Sequence, residues 1–172
     1  IFTPLMRNHS AMGTRVQEAY RFEKIDGFRH IIGMRYKLLP YLYSEYMKAV
    51  LRDEMMFRPL AFDYPEDRRA VKVEDQMLLG DGMMIAPVYE QNAEGRYVYL
   101  PERMKLVRFK EDGTKEEEIL EKGDHYVEVA LTDVIFFIRP DHLIPMATGG
   151  QCVDEVDFDH PECIGFVENV AE

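Results

Sequence analysis

The sequence contains no tryptophan among its 172 residues, so it offers no indole platform on which a ring-shaped ligand could stack. Cysteine is almost as scarce. Cys152 and Cys163 are the two in the chain, too few for a disulfide framework. One bridge between them is allowed by number, but two reduced thiols in a cytoplasmic protein are the expectation. Positive charge is short as well: 21 Lys and Arg stand against 32 Asp and Glu, for a net charge of −11. No basic run is available to neutralise phosphates, which excludes a nucleic-acid surface. No apolar run reaches the ~18–20 residues that span a bilayer, so no membrane is expected as a partner. No internal repeat and no low-complexity segment is found, and the absence of a signal peptide says little about compartment in a chain that reads as cut at its N-terminus.

What is present begins at the first residue. Ile1-Phe2-Thr3-Pro4-Leu5-Met6 is an apolar run of strand length that delivers Arg7, Asn8 and His9 to its far end. (β/α)₈ barrels present their active sites in this way, at the C-terminal ends of buried strands. The chain starts on this strand with no initiator Met, so it reads as the C-terminal piece of something longer. A connector over 13–24 leads to a helix that should start near Asp26 as its cap and end near 51–53. Phe28, Ile31, Ile32, Leu38, Leu39, Leu42, Tyr46 and Val50 fall at helical spacing on one wide face. Pro40 lies inside this pattern and should kink or split the helix. A barrel helix would bury that face on the barrel wall, nearly all of which is missing here. The face is therefore expected to stay bare and to drive association into a homo-oligomer.

From Met55 the texture changes to short apolar runs between turn residues. Phe57–Phe62 reads as an edge strand interrupted by Pro59, and Val73–Leu79 is ambiguous between a strand and a helical turn. Further strands are expected over 83–89, 96–100, 106–110, 117–120, 126–130, 134–138 and 143–146. The Asp112-Gly113 pair should close a tight hairpin. Regular spacing of this kind suggests an antiparallel sandwich, with Ile85, Val88, Ile135 and Phe137 in its core. The acidic stretch 148–160 reads as a linker, and Ile164–Val167 as a strand whose partners have been cut away.

Phe2-Thr3-Pro4-Leu5-Met6-Arg7-Asn8-His9-Ser10 resembles the last barrel strand of the family 31 glycoside hydrolases, the α-glucosidases. Further markers follow in the family's order: Arg35-Tyr36, Leu38-Leu39-Pro40-Tyr41-Leu42-Tyr43, and Arg58-Pro59-Leu60. After these come Asp75-Gln76-Met77-Leu78-Leu79-Gly80, Met84-Ile85-Ala86-Pro87-Val88, Tyr99-Leu100-Pro101 and Phe137-Ile138-Arg139. The family's Arg-Glu-Pro-Trp motif is replaced by Arg15-Val16-Gln17-Glu18. The resemblance implies an α+β fragment: the last strand and helix of a (β/α)₈ barrel over 1–54, followed by a proximal antiparallel β-sandwich over 55–147. Residues 148–172 would be a linker and the start of a distal β-domain. It implies a retaining hydrolase of terminal α-linked glucose, or a relative acting on α-xylosides or α-galactosides. The partners would be an α-glucoside and the remainder of the parent polypeptide, with no cofactor and no metal. It also implies that His9 hydrogen-bonds hydroxyls of the glucosyl unit, work that suits an imidazole. Arg7, two residues earlier and on the same strand face, would support the active-site carboxylates or form a structural ion pair. The family's two catalytic Asp residues lie on earlier strands, and their motifs do not occur here, so no residue of this chain is assigned as catalytic.

Other patterns weigh less. Asp63, Glu66 and Asp67 around Pro65 are carboxylates in a turn, read as a solvated loop; Asp75 is read as a turn cap. Asn8-His9-Ser10 fits a glycosylation sequon that would block the proposed pocket. Gly80-Asp81-Gly82 precedes a strand, where a dinucleotide loop cannot work. Cys152, Asp157, Asp159, His160 and Cys163 match neither a zinc nor a calcium spacing. The eleven Met serve as adaptable core filler. The reading from a different class is a non-catalytic β-sandwich for binding or scaffolding, which a cluster of exposed aromatics on one sheet face would favour.

Overall fold

A computed structural model describes residues 1–168 except Pro4, Asn8 and Val16. The helical region is split as Pro40 requires, into α1 (Ile25–Lys37) and α2 (Leu39–Arg52). Pro40 has no N–H for the carbonyl of Tyr36, and it takes the first turn of α2, where that donor is not needed. Asp26 lies inside the first turn of α1 and pairs with Arg29 at 2.7 Å, so it is not the cap expected of it.

Nine of the strands follow β1 (Phe57–Pro59) and the short helix α3 (Leu60–Asp63). They are β2 (Met77–Leu79), β3 (Met83–Ile85), β4 (Gly95–Leu100), β5 (Met104–Phe109) and β6 (Lys115–Leu120). After them come β7 (Gly123–Glu128), β8 (Val134–Ile138), β9 (His142–Thr148) and β10 (Asp157–Phe166). Six form an antiparallel sheet in the order β1-β2-β3-β8-β5-β6, with β1 and its Pro59 at an edge as expected. β4 pairs with β7, and β9 with β10. The hairpin of β5 and β6 turns through Gly113 at φ +86°, a left-handed conformation open to glycine at little cost.

Burial explains why the central strands read as unbroken apolar runs. Successive side chains leave opposite faces of a strand, and here both faces of the six-stranded sheet are covered. Leu79, Met83, Val107, Phe136 and Ile138 meet Met34, Leu38, Tyr41 and Leu42 of the helices and Ile144, Met146 and Phe166 of β9–β10. Their neighbours Leu78, Met84, Leu106 and Phe137 pack on the other side with Val98, Leu100 and Val127 of β4–β7. The result is three layers: helices with a small ribbon, the main sheet, and the β4–β7 ribbon. This is the expected sandwich with a helical cover.

Four expectations are corrected. No described residue of Ile1–Ser10 lies in a strand. A strand needs a ladder partner; instead Arg35 donates to the carbonyls of Ile1 and Thr3, and Phe2 meets Phe136 edge-on at 6.4 Å. Nor is the helical face bare, because Met34, Leu38, Tyr41 and Leu42 close the sheet's core while Tyr43, Tyr46, Val50 and Leu51 stay exposed. Strand β3 stops at Ile85, before Pro87, which leaves Val88 exposed and outside the core, with Ile135 half-buried. The stretch 148–160 is not all linker, and the last strand has a partner: β10 runs along β9, with Ile164 opposite Ile144.

Candidate functional site

The two residues singled out by sequence, Arg7 and His9, are brought together. Arg7 Nη2 stands 2.7 Å from His9 Nδ1 on an exposed stretch that leaves the body after Thr3. A guanidinium only donates, so Nδ1 accepts and the proton of the neutral ring sits on Nε2. The pair can therefore present one oriented N–H to a ligand. Asn8 of the sequon lies outside the described residues.

The carboxylates near Pro65 are committed elsewhere. Asp63 accepts from Arg58 Nε and Nη2 at 2.8 and 3.0 Å and from Arg139 Nη1 at 3.3 Å. The Arg58 hydrogen bond, above all, holds its carboxyl below the usual range. Asp67 accepts from Lys122 Nζ at 2.6 Å, from Tyr99 Oη at 2.7 Å and from the amides of Arg69 and Ala70. Its carboxyl is likewise pushed down, first by Lys122. Asp75 does not cap a turn; it meets Arg96 Nη2 at 2.5 Å and accepts from Tyr89 Oη at 3.2 Å. Glu66 is an exposed turn residue. With their carboxyls pushed down by these cations, Asp63 and Asp67 cannot serve as general acids near neutral pH. No three His, Cys, Asp or Glu among the described residues are grouped to hold a metal ion. Cys152 and Cys163 are free thiols.

The structurally decisive polar groups were not found from sequence. Glu45 is buried, accepts from Lys48 Nζ at 2.6 Å and from the amide of Asp81 at 3.3 Å, and fills the space beside Gly80. Tyr41 Oη donates to the carbonyl of Leu79 at 2.6 Å and accepts from the amide of Gly82 at 3.2 Å; burial pushes its phenol up. Gln76 is buried with its side-chain amide bonded twice to Tyr99, at 2.8 Å to the carbonyl and 2.8 Å from the amide. Helix periodicity marked Leu38 and Leu42 but gave no sign that Tyr41 and Glu45, one turn apart, would turn inward.

Two open clefts flank the β4–β7 ribbon. The larger, about 1330 Å³, runs along the 86–94 connection and the 129–133 connection, with Ile1 and Phe2 on one wall. The smaller, about 360 Å³, lies among Arg69, Asp75, Tyr89, Tyr97 and Asp124. Between them stand Tyr97 and Tyr126, both exposed, with ring centroids 5.2 Å apart. Neither Arg7 nor His9 lines these clefts.

Comparison with known proteins is consistent along the chain. Residues 1–45 match the profile described as the glycosyl hydrolases family 31 TIM-barrel domain. Residues 53–144 match that of the glycosyl hydrolase family 31 C-terminal domain. A probable alpha/beta-glucosidase of Arthroderma benhamiae is 32% identical over 148 residues, 84% of this chain and 16% of that protein. The lysosomal alpha-glucosidase of Bos taurus is 39% identical over 103 residues, 59% of this chain and 11% of that protein. Among solved structures, a Flavobacterium johnsoniae GH31 dextranase complexed with isomaltotriose superposes with a TM-score of 0.65 at 31% identity, over 79% of this chain and 16% of the dextranase chain. The chain thus spans a small part of the length of the relatives it matches.

Proposed function

Because the chain belongs to glycosyl hydrolase family 31, we propose that it is the C-terminal portion of a retaining α-glucosidase that releases terminal α-linked glucose. The observation that carries this reading is the order of the matches, barrel over 1–45 and then C-terminal domain over 53–144, joined by helices that pack on the sandwich. On this reading residues 1–54 end the barrel, 55–147 form the proximal sandwich, and 148–172 lead into a distal β-domain. Retaining hydrolysis needs two carboxyl groups ~5–5.5 Å apart across one glycosidic bond. The candidates Asp63, Asp67 and Asp75 are each held by a cation, which supports a catalytic pair supplied by the remainder of the parent polypeptide; on this reading the chain alone is inactive. His9 contributes a substrate contact: its Nε2–H donates to a glucosyl hydroxyl, and Arg7, bonded to Nδ1, positions the ring. In the parent enzyme the exposed face of Tyr43, Tyr46 and Val50 is covered by the remainder of the polypeptide.

The test is expression of the full parent reading frame and assay on an aryl α-glucoside, with NMR of the first-formed anomer. Retention of the α-configuration is expected. His9→Ala should lower kcat/KM about two- to tenfold, the worth of one hydrogen bond to a neutral hydroxyl, with an unchanged unfolding midpoint. Absence of turnover on any α-glycoside, or unaltered kcat/KM in His9→Ala, would refute the corresponding half of the proposal. One observation favours a binding role besides: the exposed aromatic pair on the β4–β7 ribbon.

A further inference from the structure

We propose that the outer face of the β4–β7 ribbon binds a linear, neutral oligosaccharide, away from the segment that carries His9. The choice of a glucose-based ligand rests on the α-glucosidase reading; the site itself rests on the geometry that follows. Tyr97 and Tyr126 are opposite each other across the ribbon. The bond from Val129 N to Glu94 O fixes the alternation, so this pair occupies a non-hydrogen-bonded position, where side chains approach most closely. Their rings meet at an interplanar angle of 69°, which leaves neither one buried by its partner: Tyr97 is 72% exposed and Tyr126 54%. Gly95 completes the arrangement. A Cβ there would stand 2.9 Å from Cζ and Oη of Tyr126, so the tip of that ring lies across bare backbone.

The surroundings define the ligand. Tyr97 forms part of the smaller cleft and Tyr126 part of the larger, so the aromatic pair is a ridge joining two troughs. That layout fits an extended chain of rings better than a single compact molecule. The smaller cleft, about 360 Å³, lies at the low end of small-ligand sites. Most of its charges are matched: Asp124 pairs with Arg69 at 2.8 Å and Asp75 with Arg96 at 2.5 Å, and Lys72 and Glu74, of opposite sign, also line it. An ionic ligand would have to break these pairs, whereas a polyol can exchange hydrogen bonds with their rims. The apolar C–H face of a pyranose packs on an aromatic ring, and the Tyr hydroxyls answer the sugar's own.

The test is titration of the 172-residue chain with maltoheptaose, followed by amide NMR. Saturable shifts are expected in residues 95–99 and 124–128, with a Kd on the order of 1 mM. Tyr97→Ala and Tyr126→Ala should each weaken binding about tenfold, the loss that follows removal of one stacking platform. Tyr126→Phe should retain most of it, and Tyr43→Ala, on the exposed helix face, should bind as the parent chain does. Flat titrations, shifts confined to Arg7 and His9, or an affinity unchanged from the parent chain in both alanine variants would overturn the proposal and leave the pair as a brace for the ribbon. Binding here together with a catalytically dead full-length protein would sink the glucosidase reading and spare this surface. Turnover with flat titrations would do the reverse.

Discussion

Gln76 offers the sharpest test of how the layers are held together. Tyr99 sits opposite Asp124 at a non-hydrogen-bonded position of the ribbon, so its N–H and C=O point away from β7. Gln76, 4% exposed, takes both: Oε1 accepts from Tyr99 N and Nε2 donates to Tyr99 O, each at 2.8 Å. A side-chain amide thus stands where a neighbouring strand would be. Gln76→Leu keeps the bulk and strands two buried backbone groups, each worth ~1–3 kcal/mol, so a loss of about 2–6 kcal/mol is expected. Gln76→Glu separates packing from hydrogen bonding. Protonated, the new carboxyl can still donate and accept; ionised, it points a negative oxygen at the carbonyl of Tyr99. Its folded-state pKa is therefore raised above the ~4.3 of an unfolded Glu. A raised folded pKa leaves stability intact below the unfolded value and removes it as pH climbs toward the folded one, at up to about 1.4 kcal/mol per pH unit. Urea melts followed by far-UV circular dichroism at several pH values supply the measurement. A Gln76→Glu protein whose stability relative to the parent does not change from pH 4 to 7, or a Gln76→Leu loss under about 1 kcal/mol, would refute the argument.

Phe137, 1% exposed in the middle of β8, should cost about 3–5 kcal/mol when cut to Ala, measured by the same melts; a loss well below 1 kcal/mol would contradict its place in the core. Asp63 titrates below its usual range, chiefly because Arg58 donates to it. Its stabilising contribution is complete above the unfolded value of ~3.9 and fades as pH falls toward the depressed folded pKa. Asp63→Asn should therefore destabilise at neutral pH and by a smaller margin in acid, read from melts across pH 2–6.

The strand pattern was legible because it obeys one rule. Val134–Ile138 and Met83–Ile85 are continuous apolar runs, and the sheet buries both of their faces. Pro40 announced its helix break for an equally local reason. The misses share a cause too. Val88 follows Pro87, and apolarity alone did not say that the strand had ended. Ile1–Met6 has strand composition, but its described residues form no ladder, since pairing is a property of neighbours and not of a segment. The acidic composition of 157–163 hid a strand that pairs along β9 on an exposed ribbon. For the candidate site, Arg7 and His9 were readable as types at a strand-like spacing. The Tyr97–Tyr126 contact required the register of two strands 29 residues apart, which no motif encodes.

That dependence on neighbours also decides where the barrel piece belongs. Sequence assigns 1–45 to a barrel profile, yet the helices of this region are fastened to the sandwich. Tyr41 bonds the turn between β2 and β3. Lys48 bridges Glu45 and Asp81, and Arg58 reaches Asp81 at 3.6 Å while holding Asp63. Arg139 extends the chain of charges from Asp63 to Glu102, 2.8 Å away, beneath the ring of Tyr64. Gly80 is needed at its centre for two reasons at once: φ is +62°, and a Cβ would stand 2.3 Å from Glu45. Half-buried pairs of this kind add little net stability, because desolvation offsets their attraction, but breaking one leaves a charge stranded. Their effect is to fix register. The helix pair can sit on the sheet in one position, so the segment that carries Arg7 and His9 departs from a fixed point, Arg35 holding Ile1 and Thr3. On the proposed reading, a sandwich that supplies no catalytic group can in this way still govern where His9 stands.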